Sequence, residues 1–200
     1  MSTIVQPPIS APSADTPPRA PAWWGMALLC VTEATLFVYF IGSWFYLRGT
    51  ITSFAAEGGR HPALGIPAAL TVLLIASSVS LMWAERGIRR GDAGRLSLGL
   101  IVTLVLGAAF IALQGVEYAR EVHTPQVDAY WSAFFTLIGF HGAHVLVGWL
   151  MLAFTLLRSS RGHFTAQRHL AVQNVALYWH MVDAVWLVIV FTLYVAPWLW

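Results

Sequence analysis

The chain has 200 residues, 58% of them hydrophobic and only 10% charged, where soluble proteins carry about 25% charged residues. Its net charge of +2 comes from arginine alone, since it contains no lysine, and the arginines fall between apolar runs. This excludes a water-soluble globule and leaves no basic face for nucleic acid. The single cysteine, Cys30, excludes an internal disulfide and a cysteine-clustered metal site.

Residues 1–22, MSTIVQPPISAPSADTPPRAPA, hold six prolines among small and polar residues. They lack the basic start and short apolar region of a signal peptide, so they are expected to be a disordered cytoplasmic tail. Residues 23–200 are expected to form one all-α domain of five transmembrane helices, because five apolar runs are long enough to cross about 30 Å of hydrocarbon at 1.5 Å per residue. The first run, 24–47, contains Cys30 and one acid, Glu33. The polar stretch EGGRHP (57–62) precedes the second run, 66–84, and RRGDAG (89–94) follows it. The third run, 96–117, ends in ALQGVEY, which carries Gln114 and Glu117 near the outer surface. Pro125 precedes the fourth run, 133–157, with His141 and His144; the fifth, 174–195, contains YWHMVD, with His180 and Asp183, and stops before Pro197.

Arginines set the direction of insertion. The tail and the loops after the second and fourth runs hold eight (Arg19, Arg86, Arg89, Arg90, Arg95, Arg158, Arg161, Arg168), against three on the other side (Arg48, Arg60, Arg120). The positive-inside rule therefore puts the N-terminus inside and the C-terminus outside. Trp23 and Trp24 at the inner start, with Trp198 and Trp200 at the outer end, fit aromatic anchors at the two interfaces.

Ionisable groups within membrane helices cost a few kcal/mol unless paired, so each is a candidate site. A spacing of three puts His141 with His144, and His180 with Asp183, on common faces directed into the bundle. Counting rise per residue brings Glu33, His144 and Asp183 within about one turn of the same depth, which suggests one polar layer linking the first, fourth and fifth helices. Such groups can simply hydrogen-bond between helices, at an average of about 0.6 kcal/mol each, with Gly139, Gly142 and Gly148 letting the fourth helix approach its neighbours. A b-type haem held by His144 and His180 is a second reading; proton handling at Glu33 or contact with lipid headgroups is a third. Arg86, Arg89 and Arg90 would stand where anionic headgroups lie, or be a solvated loop.

TEATLFVYF (32–40), ALQGVEY (112–118), AFFTLIGFHGAHVLVG (133–148) and YWHMVDAVWLVIVFTLY (178–194), in this order and at these separations, resemble subunit III of the haem-copper respiratory oxidases. The resemblance covers residues 24–195. It implies the short five-helix bacterial form, in the bacterial plasma membrane. It implies a non-catalytic accessory subunit of a proton-pumping terminal oxidase in aerobic respiration, packed against catalytic subunit I in a complex that includes subunit II. No haem, copper or other metal is expected in this chain; the redox groups would belong to the partners. The family holds phospholipids in a cleft between its first helix pair and the remaining helices, supports proton uptake by its neighbour and protects against turnover inactivation. Residue by residue, Glu33 corresponds to the carbodiimide-reactive acid of the family's serine-glutamate motif, with Thr32 in place of the serine. His141, His144, His180 and Asp183 correspond to its signature histidines and aspartate, and Gln114, Glu117 and Tyr118 to its outer-end motif; none is catalytic. Cytochrome c and quinol branches share these blocks, and Glu33 with YWHMVD leans toward cytochrome c. The alternative is a homologous accessory protein of a nitric oxide reductase system. A different class, an autonomous transporter or membrane cytochrome, lacks the paired glycine or proline breaks of discontinuous transport helices.

Overall fold

The computed structural model describes residues 21–51, 54, 64–120 and 128–198. The first 20 residues of the expected tail, the EGGRHP stretch with Arg60, Pro125 and Trp200 lie outside the described residues. Among the described residues there are five helices long and apolar enough to cross a membrane and no strand. They are α1 (Pro21–Thr50), α2 (Gly65–Arg89), α3 (Ala93–Arg120), α4 (Ala129–Ser160) and α5 (Leu170–Val190), the last continued by a π-helical turn (Phe191–Val195) and a 3-10 turn (Ala196–Trp198) that contains Pro197.

The first four helices run past their apolar stretches at both ends, and α5 begins before its own. Pro21 opens α1, where its missing N–H would be unbonded anyway and its fixed φ suits a first turn. The α2–α3 turn passes through Gly91 at φ 83°, a conformation glycine adopts without steric cost. Asp92 then accepts the backbone N–H of Arg95 at 2.8 Å, and Asp128 accepts that of Trp131 at 2.9 Å to start α4. Such caps contribute about 1 kcal/mol each. At 32 residues, α4 is about 48 Å long, so its ends reach the headgroup layers.

α5 is the most buried of the five helices, with α1, α2 and α4 packed around it, while α3 packs against α2 and α4. α2 and α3 touch closely: a Cβ on Gly99 would lie 2.6 Å from Ala84 Cβ. The Arg95 guanidinium sits 4.4 Å over the Trp83 ring. α1 is attached differently. Its buried residues are Cys30, Phe37 and Trp44, a repeat of seven that marks one narrow seam, and Val31, Val38, Tyr39 and Tyr46 are exposed around it.

The glycines of α4 divide in a way the sequence reading did not foresee. Gly148 does allow close approach, since a Cβ there would lie 2.9 Å from Trp179 Cε3. Gly139 has nothing within 4 Å of that position, and Gly142 meets only Gln114 Oε1 at 3.9 Å. Neither is pressed by a neighbour, because α4 turns both to the groove beside α3 that Gln114, Tyr118 and Ala143 also line.

Candidate functional site

The expected single polar layer is two separate sites, one between α1 and α4 and the other between α2 and α5. Glu33 of α1 and His144 of α4 meet at 3.0 Å between Oε2 and Nε2. His144 Nδ1 lies 2.7 Å from the Phe140 carbonyl, which can only accept, so Nδ1 carries a proton. A neutral imidazole then offers Nε2 as an acceptor, and its bond to Glu33 requires one further proton, on the carboxyl or on the ring. The pair is therefore a place where a proton is held, and Phe37 covers it edge-on at 5.0 Å from the His144 ring.

Asp183 does not join that layer. It accepts a hydrogen bond from Ser78 of α2, and His180 Nδ1 lies 2.8 Å from the same hydroxyl. Both α5 side chains thus reach α2, because their spacing of three fixes a shared face and that face meets Ser78. His144 and His180 consequently have different neighbours and do not form the facing pair that the haem reading needed. Among the described residues no three His, Cys, Asp or Glu side chains cluster as metal ligands.

The common face of His141 and His144 is divided as well. His141 is fully buried. Its Nε2 donates to the Val182 carbonyl at 3.3 Å, Nδ1 has no partner, and Trp186 packs at 4.9 Å between ring centroids. It links α4 to α5 while His144 links α4 to α1. Gln114 is buried with Nε2 unpartnered. Glu117 is half-buried one turn before the end of α3, and Tyr118 meets Phe135 at 4.8 Å. Arg86, Arg89 and Arg90 are exposed at the α2–α3 turn, with Arg89 paired to Glu85 at 2.6 Å.

Sequence reasoning missed α2's contribution. Trp179 Nε1 donates to Ser77 Oγ at 3.0 Å, and Trp186 Nε1 donates to Thr71 Oγ1 at 3.0 Å. With Ser78 these hydroxyls form a polar seam between α2 and α5. The signal available was Ser77-Ser78 inside an apolar run. It reads as neutral because such hydroxyls also satisfy themselves on their own helix, as Ser77 does on the Leu74 carbonyl at 2.7 Å.

Fold and site together define a multi-pass α-helical membrane protein whose buried ionisable groups are shared between helices. Residues 19–200 match the sequence model of the family described as cytochrome c oxidase subunit III. Cytochrome c oxidase subunit 3 of Drosophila melanogaster is 35% identical over 179 residues, covering 86% of this chain and 68% of the fly protein. The Sus scrofa and Gadus morhua proteins of the same description are 35% and 36% identical over the same extents. The chain belongs to the cytochrome c oxidase subunit III family.

Proposed function

We propose that this chain is the non-catalytic accessory subunit of a proton-pumping haem-copper terminal oxidase fed by cytochrome c, bound to its catalytic subunit I and to subunit II. The observation that carries the reading is the Glu33–His144 pair, a proton-holding contact between α1 and α4 formed by two family-signature positions in a chain that matches the family over residues 19–200. Its role is to steady the catalytic subunit and support proton uptake. Redox metals belong to the partners.

We assign the chain to the bacterial plasma membrane, with the Arg86, Arg89 and Arg90 end in the cytoplasm. Eight arginines against three support that direction. The exposed arginines would meet anionic headgroups, each worth on the order of 1 kcal/mol near such a surface.

The test is purification of the tagged chain from its native membrane in mild detergent, with identification of accompanying proteins and a haem spectrum. A haem-copper catalytic subunit that carries all the haem is expected, and a cytochrome c docking subunit beside it would identify the donor. A quinol oxidase would correct the donor, a nitric oxide reductase would replace the assignment, and haem on the isolated chain would overturn the non-catalytic reading.

A further inference from the structure

We propose that Ser78, His180 and Asp183 form a proton-exchange site inside the bundle, loaded from a cavity between α1, α2 and α5 at the arginine-rich end. The cavity holds about 350 Å³ and is lined by Trp23 of α1, Glu85 and Arg89 of α2, and Leu170, Gln173 and His180 of α5. From Leu170 to His180 it follows α5 for about 15 Å, so it reaches well below the helix end. At its inner limit His180 Nδ1 lies 2.8 Å from Ser78 Oγ. The same hydroxyl bonds Asp183 Oδ2, and Asp183 Oδ1 is buried without a partner.

Counting protons gives this cluster two states. A serine hydroxyl has one proton to donate. Given to Asp183, it requires His180 to carry its proton on Nδ1 and donate to Oγ. Given to His180 Nδ1, it requires Asp183 to be protonated and donate to Oγ. Because Nδ1 is committed to Ser78, Nε2 is the nitrogen left for the cavity. Uptake then balances: Nε2 takes a proton from solvent hydronium, which is left as water, Nδ1 passes its proton to Oγ, and Oγ passes its own to Asp183 Oδ2. The imidazole ends neutral with its proton on Nε2, the serine keeps one proton, and the carboxylate has become a carboxylic acid. Release is the reverse.

The charged and titratable groups of the packed elements nearest the site come from α2 and α4. Glu85 and Arg89 of α2 pair with each other at 2.6 Å, and His141 of α4 reaches the Val182 carbonyl beside Asp183. α1 contributes Trp23 to the cavity, while its Glu33 is bonded to His144. The site is thus separate from the Glu33–His144 pair and makes no use of the oxidase assignment.

The experiment is infrared difference spectroscopy of the purified native complex across pH, in water and deuterium oxide, with the Asp183→Asn complex subtracted. A protonated-carboxyl stretch that changes with pH, shifts in deuterium oxide and is absent from Asp183→Asn is expected. Ser78→Ala and His180→Phe should slow its hydrogen–deuterium exchange on the order of tenfold, and Ser78→Thr, which keeps the hydroxyl, should restore the rate. A difference spectrum without that stretch, a stretch unchanged by pH, or equal exchange in Ser78→Ala would each overturn the proposal. If Asp183→Asn does not assemble, the Ser78→Ala and Ser78→Thr comparison decides alone, and equal rates sink the site. The band belongs to this chain whichever catalytic subunit accompanies it, so the two readings fail separately.

Discussion

Glu33 and His144 need one proton more than a carboxylate and a neutral imidazole supply, because the Phe140 carbonyl has already fixed the ring's other nitrogen as a donor. Substitution can separate that charge from the link itself. In Glu33→Gln the amide N–H donates to a neutral Nε2, so the α1–α4 bond survives without its exchangeable proton. We expect full assembly and unchanged thermal unfolding of the complex, with faster loss of activity during sustained turnover. Glu33→Ala removes the bond as well, at a stability cost of about 0.6 kcal/mol. Thermal melts and turnover time courses of both variants check this; a Glu33→Gln chain that fails to assemble would make the residue a structural tie instead. The His180 side of the bundle responds differently to truncation. Ser78→Ala removes the hydroxyl that bonds both His180 and Asp183 and leaves a part-buried carboxyl short of a partner, a loss of about 1–3 kcal/mol, measurable as a lowered melting midpoint relative to Ser78→Thr.

Between helices, the decisive contacts are close approaches and hydroxyl bonds, since lipid tails are as apolar as the side chains and burial alone gives no driving force. Gly148 sits where a Cβ would press on Trp179, itself bonded to Ser77 across the α2–α5 seam. Gly148→Leu should therefore overpack the junction of α4 and α5, costing about 1–3 kcal/mol. Gly139→Ala, facing open space in the same helix, should be neutral or favourable by up to about 1 kcal/mol through helix propensity. Guanidine-free thermal unfolding in one detergent tests the contrast, and equal losses would contradict the packing described. This pair also marks how far the sequence could be read. The five helices and the candidate polar residues were legible because hydropathy and spacing are local properties. The glycines and the partner of Asp183 were not. Periodicity states which residues share a face but not which helix that face meets, so depth alone puts Asp183 with Glu33 although its face reaches Ser78 of α2. Ser77 and Ser78 stayed silent for a related reason, as a hydroxyl in a helix carries almost no hydropathy signal until a tryptophan or aspartate from another helix reaches it.

As a whole, the molecule is an accessory subunit of a haem-copper oxidase built as four helices around a shared polar and aromatic interior, with α1 laid along it. α2, α3 and α4 are joined to their neighbours by hydroxyls, glycines and indole N–H bonds, such as Trp149 Nε1 to the Leu104 carbonyl at 2.9 Å. α1 has the seven-residue seam of Cys30, Phe37 and Trp44, the Glu33–His144 link, and a bond from Asn174 to the Ala22 carbonyl at 3.2 Å. It should accordingly be the helix that separates most readily from the rest, and the chain's single cysteine lies on its seam. Cys30 is sheltered while α1 is docked, so its reaction with a membrane-permeant maleimide reports the opening of that seam. Phe37→Ala takes the central ring out of the seam. Because the exposed state is solvated by lipid, only the packing part of the loss counts, on the order of 1–2 kcal/mol, or about five- to thirtyfold in an opening equilibrium. Labelling of Cys30 should quicken by that factor in Phe37→Ala, while Val38→Ala, on the exposed face one residue away, should leave it unchanged. Equal quickening in both would mean that Cys30 is reached by local fluctuation of the helix rather than by release of α1 as a unit.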